Sequence, residues 1–200
     1  SWRTVARIRP MDEPGSRPDG RKRAPKPLDS ARLEELALNY IARFSTSASK
    51  LERYLTRKIR ERGWAEERQP PVSALVERCV ASGFVDDEAY GRMKAGGLLR
   101  RGYGQRRVRQ ALGEAGINEE LRERLTPSDG QARRAALALA RRRRFGPFAG
   151  AALDKPLREK QLAAMLRAGH PLDSARQIVD AASVAEAEEW AAEADDEQEL

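Results

Sequence analysis

The chain has 200 residues and a strongly charged composition: 34% of its residues are charged, 40% are hydrophobic and 6% are aromatic. This is little apolar material for one deep core, and it favours an elongated array of small helical units. The formal net charge of +7 favours a polyanionic or acidic partner, although charge alone does not identify that partner.

Cys79 is the only cysteine, so the sequence excludes an intramolecular disulfide and indicates a reducing compartment. It lies in an apolar series with Leu75, Val76 and Val80, which favours a buried structural thiol. No apolar run approaches the roughly 18 residues that span a bilayer, and none resembles the core of a signal peptide. We therefore expect a cytoplasmic protein that does not contact a membrane.

The two ends of the chain have opposite charge. Residues 1–27 contain five prolines, eight basic side chains and three acidic ones. Such a segment buries too little apolar surface to fold, so we interpret it as a disordered basic arm. Residues 185–200 are acidic and include no lysine or arginine. We assign them as an acidic tail, with an extension of the last helix as the alternative.

Between the two ends, apolar residues recur three and four apart, which predicts helices and no strands. The first unit, 28–83, has two helices that begin at the caps Asp29 and Ser47, followed by a short third helix. The order of helix, basic and aromatic junction, helix, glycine stop and short helix repeats in residues 84–127 and 128–184. The prediction is an all-α fold, an elongated array of three tandem three-helix units.

The sequence has few residues suited to catalysis. With one histidine and one cysteine, it has no Cys/His zinc set and no Cys–His dyad. His170 stands between Gly169 and Pro171 at a helix boundary, which predicts a capping or solvent-exposed role. The acidic run 86–88 falls in the first turn of a helix, where it complements the helix dipole rather than binding a metal. We predict no catalytic residue, no metal and no cofactor.

The motif Gly102-Tyr103-Gly104 stands between two predicted helices. A phosphate loop is excluded because no strand precedes the motif and no Gly-Lys-Ser/Thr follows it. Gly102 is predicted to end one helix at positive φ, and Gly104 is predicted to be a flexible N-cap of the next. We interpret the motif as a hinge.

Two groups of basic side chains are candidate binding sites. The first surrounds Tyr103 and could bind phosphate while the tyrosine stacks on a base. The alternative is a solvated basic face, with Tyr103 packed into the crevice between helices. The second group precedes Phe145 and favours an anionic partner, because a helix C-terminus stabilises a cation by only about 0.3–1 kcal/mol, too little to explain consecutive arginines. The candidate partner-binding residues are Arg100, Arg101, Tyr103, Arg106, Arg107, Arg109, Arg133, Arg134, Arg141, Arg142, Arg143 and Arg144.

Residues 84–117, FVDDEAYGRMKAGGLLRRGYGQRRVRQALGEAGI, resemble the central signature of the RecX family of bacterial regulatory proteins. The shared features are an apolar residue with paired Asp, an aromatic-bearing helix, Arg-x-Gly-Tyr-Gly, and a basic helix ending in Gly-Ile. Residues 37–63 resemble the first unit of that family. The resemblance extends over 28–182 as three tandem three-helix units.

The resemblance implies a non-enzymatic regulator of the RecA recombinase, which acts in homologous recombination, DNA repair and the SOS response. Such regulators usually inhibit the strand exchange, ATPase and co-protease activities of RecA. The resemblance also implies binding in the groove of the RecA–DNA filament, with weaker binding to single- and double-stranded DNA, and we expect a monomer. The alternative is a stand-alone DNA-binding protein that contacts single- or double-stranded DNA through its arginine-rich faces.

Overall fold

The structure, a computed structural model, describes residues 24–196. Within this range the chain forms ten α-helices, and a 3₁₀-helix lies between the seventh and the eighth. The helices are α1 (Ser30–Arg43), α2 (Ala48–Arg62), α3 (Val72–Ala81), α4 (Asp87–Arg100), α5 (Gln105–Glu114), α6 (Glu119–Arg124), α7 (Asp129–Arg143), α8 (Lys155–Arg167), α9 (Leu172–Val179) and α10 (Val184–Asp196), and the 3₁₀-helix is Gly146–Ala149. The predicted all-α array of three-helix units is confirmed.

We refer to α1–α3 as unit 1, to α4–α6 as unit 2 and to α7–α9 as unit 3. Of the predicted basic arm, residues 24–27 are exposed and non-helical, and residues 1–23 lie outside the described part of the chain. No helix in the described range is both long enough and apolar enough to cross a membrane.

Helices of unit 1 begin and end where their caps are predicted. The Asp29 carboxylate accepts a hydrogen bond from the Arg32 backbone N–H at 2.9 Å. Ser47 Oγ accepts one from the Lys50 backbone N–H at 3.2 Å. Gly63 ends α2 at a φ of 85°, in the region that favours glycine. These residues cap the helix ends, where backbone groups have no partner within the helix.

The second helix of each unit lies at the centre of that unit's core. Each unit has its own cluster of buried apolar side chains. Leu51 and Leu55 of α2, Val108 and Leu112 of α5, and Met165 of α8 are fully buried in these clusters. The units are small, and each therefore depends on packing around one central helix.

Cys79 belongs to the core of unit 1, as the apolar series around it predicts. Its side chain is buried among apolar residues of α1, α2 and α3. Burial raises the pKa of the Cys79 thiol, so the thiol remains protonated near neutral pH. The prediction of a buried structural thiol is confirmed.

The central helices of adjoining units meet end to end. At the N-terminus of α2, Ser47 Oγ donates a hydrogen bond to the Ala115 carbonyl at the C-terminus of α5, at 2.5 Å. At the N-terminus of α5, the Gly104 backbone N–H donates to the Ala168 carbonyl at the C-terminus of α8, at 2.8 Å. A helix N-terminus carries partial positive charge and a C-terminus partial negative charge, so this head-to-tail order is electrostatically favourable.

Two residues of the acidic run at the start of α4 cap helices in two units. Asp86 is the N-cap of α4, and its carboxylate accepts from the Ala89 backbone N–H at 3.0 Å. The Asp87 carboxylate instead accepts from the Ala48 backbone N–H, in the first turn of α2, at 2.8 Å. The sequence predicts that both residues serve their own helix, but Asp87 stabilises the joint between units 1 and 2.

Most of the predicted acidic tail is a packed helix. α10 runs antiparallel to α7, because Arg133 near the start of α7 contacts Glu193, whereas Arg141 near its end pairs with Glu188. Its buried face is a stripe of small residues, Ala187, Ala191 and Ala194. The spacing of three and four residues between these alanines lets a strongly acidic helix pack closely on α7. Residues 184–196 thus form a separate helix and not the extension of the last helix that was the alternative, and residues 197–200 lie outside the described range.

Candidate partner-binding surface

The corner Gly102-Tyr103-Gly104 is a packed joint between units 2 and 3. Gly102 follows the end of α4 at a φ of 85°, and Gly104 is the N-cap of α5, as predicted. A Cβ on Gly102 would lie 2.9 Å from backbone atoms of Leu139, and a Cβ on Gly104 would lie 2.5 Å from the Gly169 carbonyl. Backbone of unit 3 therefore packs directly on both glycines, and this close contact replaces the hinge inferred from sequence.

His170 closes the same joint from the side of unit 3. The residue is 3% exposed, and its Nε2 donates a hydrogen bond to the Gly102 carbonyl at 2.8 Å. Burial lowers the pKa of the imidazole below its ordinary value of 6.5, and the hydrogen bond to Gly102 opposes that effect. The solvent-exposed alternative is therefore wrong: His170 caps a carbonyl at the end of α4, across the boundary between units.

The unfolding temperature is expected to fall as the pH is lowered from about 7.5 to about 5.5, because the unfolded chain binds a proton on His170 before the folded chain does. The stability that the neutral imidazole provides is fully present above its ordinary pKa of 6.5 and is lost as the pH falls from there through the lower folded-state pKa. Thermal unfolding followed by circular dichroism at each pH measures this.

His170→Gln is the control for the pH experiment, because glutamine keeps a hydrogen-bond donor and does not titrate. The chain has no other histidine. The variant should therefore show a much flatter pH dependence between about pH 5.5 and 7.5. Equal slopes of unfolding temperature against pH in wild type and His170→Gln would contradict the assignment of a buried, neutral His170.

A basic cleft of about 340 Å³ opens where unit 1 meets unit 2. We call it the tyrosine cleft, because the rings of Tyr90 and Tyr103 line it. Lys50 Nζ lies 5.3 Å from the centroid of the Tyr90 ring, and the Arg101 guanidinium lies 5.7 Å from that of Tyr103. Glu114 is the single carboxylate among its lining residues. The cationic side chains that line the cleft are Lys50, Arg53, Lys94, Arg101 and Arg107.

Lys50, Arg53 and Lys94 were not candidates from sequence. The cleft brings together side chains more than 40 residues apart, so the chain spacing of these cations does not indicate that they meet. The repeat carries a weaker signal: Lys50 stands three residues after the cap of α2, as Arg107 stands three residues after the cap of α5. Aligning the units by their caps would have placed both side chains in the same position.

Tyr103 lies between the cores of units 2 and 3 and is half-buried. This position, in the crevice between helices, is the one that the sequence offers as the alternative to stacking on a base. The Arg101 guanidinium stands over the ring, and the phenol also borders the tyrosine cleft. Tyr103 therefore has a structural role at the joint, and part of it remains open to the cleft.

The remaining arginines of the first group do not share this cleft. The Arg106 guanidinium donates to the Leu166 carbonyl at the end of α8, at 2.5 Å. Arg109 pairs with Glu119. Arg100 is exposed at the end of α4, and it has no carboxylate partner in the part of the chain that the structure describes. Of the first group, the structure gathers Arg101, Tyr103 and Arg107 in one site.

The arginines of the second group, on α7 and at its end, contact two different parts of the molecule: α10, and the joint between units 2 and 3. The Arg133 side chain is only 18% exposed, donates to the Trp190 carbonyl at 2.9 Å and lies 4.9 Å over the Trp190 ring. Arg141 pairs with Glu188 of α10, and Arg142 donates to the backbone carbonyl of Arg101. The members on the exposed surface of α7 and its C-terminal end are Arg134, Arg143 and Arg144.

These features define a class of protein: an all-helical array of three-helix units joined through their central helices, with cations gathered at the joints. Residues 86–124 match a family model described as the second three-helix domain of RecX. The chain is 32% identical over 186 residues to the regulatory protein RecX of Myxococcus xanthus strain DK1622, covering 85% of this chain and 98% of that protein. The chain belongs to the RecX family of regulatory proteins, which is not a family of enzymes.

Two crystal structures share the fold. RecX from Lactobacillus salivarius superposes with a TM-score of 0.58 at 16% identity, covering 75% of this chain and 96% of that one. A second structure, described as regulatory protein RecX, superposes with a TM-score of 0.60 at 18% identity, covering 76% of this chain and 72% of that one. The match of residues 86–124 to the family model confirms the family resemblance of residues 84–117.

Proposed function

We propose that this protein regulates the RecA recombinase by binding in the groove of the RecA–DNA filament, and that it inhibits the recombinase, ATPase and co-protease activities. The observation that carries the proposal, together with membership of the RecX family, is the tyrosine cleft. It presents five cations and the partly open ring of Tyr103 beside one carboxylate. A filament groove offers phosphate and acidic protein surface, which such a lining attracts.

The proposal assigns the candidate arginines to different tasks. Arg101, Tyr103 and Arg107, with Lys50, Arg53 and Lys94, contact the filament from the tyrosine cleft. Arg133 and Arg141, which already have acidic partners on α10, hold that helix in place. The cations that extend the binding surface along the array are Arg100, Arg106, Arg109, Arg134, Arg142, Arg143 and Arg144.

The organisation proposed from sequence serves this function. The three units, 28–83, 84–127 and 128–184, act as one binding body: side chains of units 1 and 2 line the cleft, and backbone of unit 3 packs on the corner that carries Tyr103. Binding of single- and double-stranded DNA is weaker than binding of the filament. The protein acts as a cytoplasmic monomer, without membrane contact, cofactor or chemistry of its own.

Titration of RecA ATPase on single-stranded DNA tests the proposal. At about 0.15 M salt, where exposed charges more than about 8 Å apart are screened, the protein should lower the ATPase rate and should co-sediment with the filament. A chain lacking residues 1–27, measured in parallel, shows whether the basic arm contributes. An unchanged ATPase rate, with no protein bound to the filament, would rule the proposal out.

A second candidate is a protein whose target is DNA alone, and the partly open ring of Tyr103 favours it, because an aromatic ring beside cations is typical of single-strand binding. It predicts tight binding to bare DNA with a steep salt dependence, since each phosphate contact adds about −0.7 to the slope for single strands and about −0.9 for duplexes. Weak binding to bare DNA beside strong binding to the filament would reject it.

A further inference from the structure

An apolar groove with a wholly cationic rim runs along α8. Its main hollow, of about 460 Å³, has a floor that includes Phe145, Ala149, Leu157 and Ala164. A second hollow of about 210 Å³ adjoins it, and both share Arg143, Phe145, Ala164 and Arg167. The cations around the two hollows are Arg142, Arg143, Arg144, Lys160 and Arg167, and no carboxylate lines either one. We call this feature the α8 groove.

One face of α8 forms the length of the groove. Leu157, Lys160, Ala164, Arg167 and Ala168 recur at spacings of three, four, three and one, which places them on one side of the helix. The face extends about 16 Å from Leu157 to Ala168. Leu157 is 39% exposed, so this end of the floor is open to solvent. An extended segment of about five residues, or three turns of helix, would cover the face.

The rim cations are not neutralised by the fold. Arg144, Lys160 and Arg167 are exposed and have no ion-pair partner among residues 24–196. Elsewhere on the same helix, by contrast, Arg158 forms a bidentate pair with Asp180. Arg143 stands over the Phe145 ring, 5.6 Å from its centroid, and has no carboxylate partner within the described part of the chain. The positive charge around the groove is therefore available to a ligand.

We propose that the α8 groove binds an acidic protein segment that carries apolar side chains. Leucine-like side chains of the segment pack on the floor, and its carboxylates pair with the rim, where guanidinium groups bind carboxylates in bidentate geometry. This inference goes beyond regulation of RecA, because it depends only on the lining of the groove. It gives Arg143 and Arg144, which also belong to the proposed filament-binding surface, an acidic protein ligand.

The floor favours a peptide over nucleic acid. Phe145 is only 8% exposed and lies under the Arg143 guanidinium, so it offers no free face for a base. The rest of the main floor is aliphatic, and methyl groups do not provide the stacking that single-strand binding uses. Tyr103, which is half-buried, lines the second hollow as well as the tyrosine cleft, so the distinction between the two surfaces depends on the aliphatic main hollow. The main hollow therefore fits apolar side chains of a peptide.

Neither α10 nor residues 1–23 suit the groove. α10 runs antiparallel to α7, so its last residue lies near the start of α7, about 20 Å along the helix from Arg143. Residues 1–23 carry seven basic and three acidic side chains, which is the wrong charge for a cationic rim. An acidic segment of another protein has the charge that the rim attracts.

Fluorescence anisotropy with labelled peptides tests the proposal on the full chain. The probe is a peptide of about 12 residues in which glutamates flank three leucines, long enough to span the groove as a helix. The second peptide has serines in place of the leucines, and oligo(dT) of similar length is the nucleic-acid probe. The protein variants are Lys160→Glu with Arg167→Glu, Leu157→Ser, and the control Arg43→Glu with Arg60→Glu, which makes the same charge change at exposed positions far from the groove.

The leucine peptide should bind about tenfold more weakly to the Lys160→Glu/Arg167→Glu variant and at nearly wild-type strength to the control. Leu157→Ser should weaken the leucine peptide and leave the serine peptide unchanged. The proposal is overturned if the control loses as much affinity as the groove variant, or if the two peptides bind equally. It is also overturned if oligo(dT) binding, rather than peptide binding, depends on Lys160 and Arg167. Circular dichroism confirms that each variant is folded.

Discussion

Replacing Gly104 with valine is expected to separate the third unit from the second and to lower the free energy of unfolding by about 1–3 kcal/mol, the usual range for overpacked sites. The φ of Gly104 is −84°, which any residue adopts, so the penalty is steric. An added Cβ would lie 2.5 Å from the Gly169 carbonyl and 2.6 Å from the His170 nitrogen. These are backbone atoms, which cannot rotate away, and the hydrogen bond from Gly104 to Ala168 would break as the units move apart.

Urea unfolding followed by circular dichroism measures this effect. Wild type should unfold in one transition, whereas Gly104→Val should unfold earlier and over a broader range, because unit 3 loses its support. Gly97→Ala is the matched control. A Cβ there meets only the Arg100 guanidinium, at 3.9 Å, and alanine inside a helix is about 0.5–1 kcal/mol more stable than glycine. If Gly104→Val unfolded at the wild-type urea concentration and over the wild-type range, that result would contradict the packed joint.

Replacing Lys94 and Arg101 together with glutamate is expected to weaken binding to single-stranded DNA and to the RecA filament by about tenfold or more. Both side chains line the tyrosine cleft, and neither has a carboxylate partner among residues 24–196. The double change converts two attractive charges into two repulsive ones at the centre of the site. Anisotropy of labelled oligo(dT), and the protein concentration that half-inhibits RecA ATPase, measure the two effects separately.

The salt dependence makes this prediction specific. If both side chains contact phosphate, the slope of log affinity against log salt should become shallower by about 1.4 in the variant, since each single-strand contact contributes about 0.7. The control Arg43→Glu with Arg60→Glu should keep the wild-type slope. Equal losses in both double variants would mean that net charge, rather than the cleft, determines binding.

The helices and their ends could be predicted from sequence because the interactions that form them are local. Asp29 and Ser47 each cap a backbone N–H three residues ahead, and a stripe at spacings of three and four indicates a buried face whatever that face packs against. The stripes that contain Cys79 and Leu112 accordingly predict burial, and both side chains are buried. Two of the candidate site residues nearest the junction, Arg101 and Arg107, are in the cleft.

What sequence could not provide is the pairing of distant residues. Ser47 meets Ala115 and His170 meets Gly102, each across 68 residues, and the spacing of these residues along the chain contains no sign of it. The candidate arginines look equivalent in sequence because exposure and partners are set by packing between units. Arg133 and Arg134 are adjacent and identical in the sequence, yet Arg133 is half-buried against α10 and Arg134 is exposed.

The end-to-end contact of α2, α5 and α8 has a consequence for how the molecule opens. Each joint involves only neighbouring units, so the array behaves as a short linear lattice in which free energies add between nearest neighbours. Unit 2 is held by two joints and each outer unit by one. Opening therefore starts at the outer units and proceeds inward. Because α5 takes part in both joints, its backbone amides are the last to lose protection from hydrogen exchange.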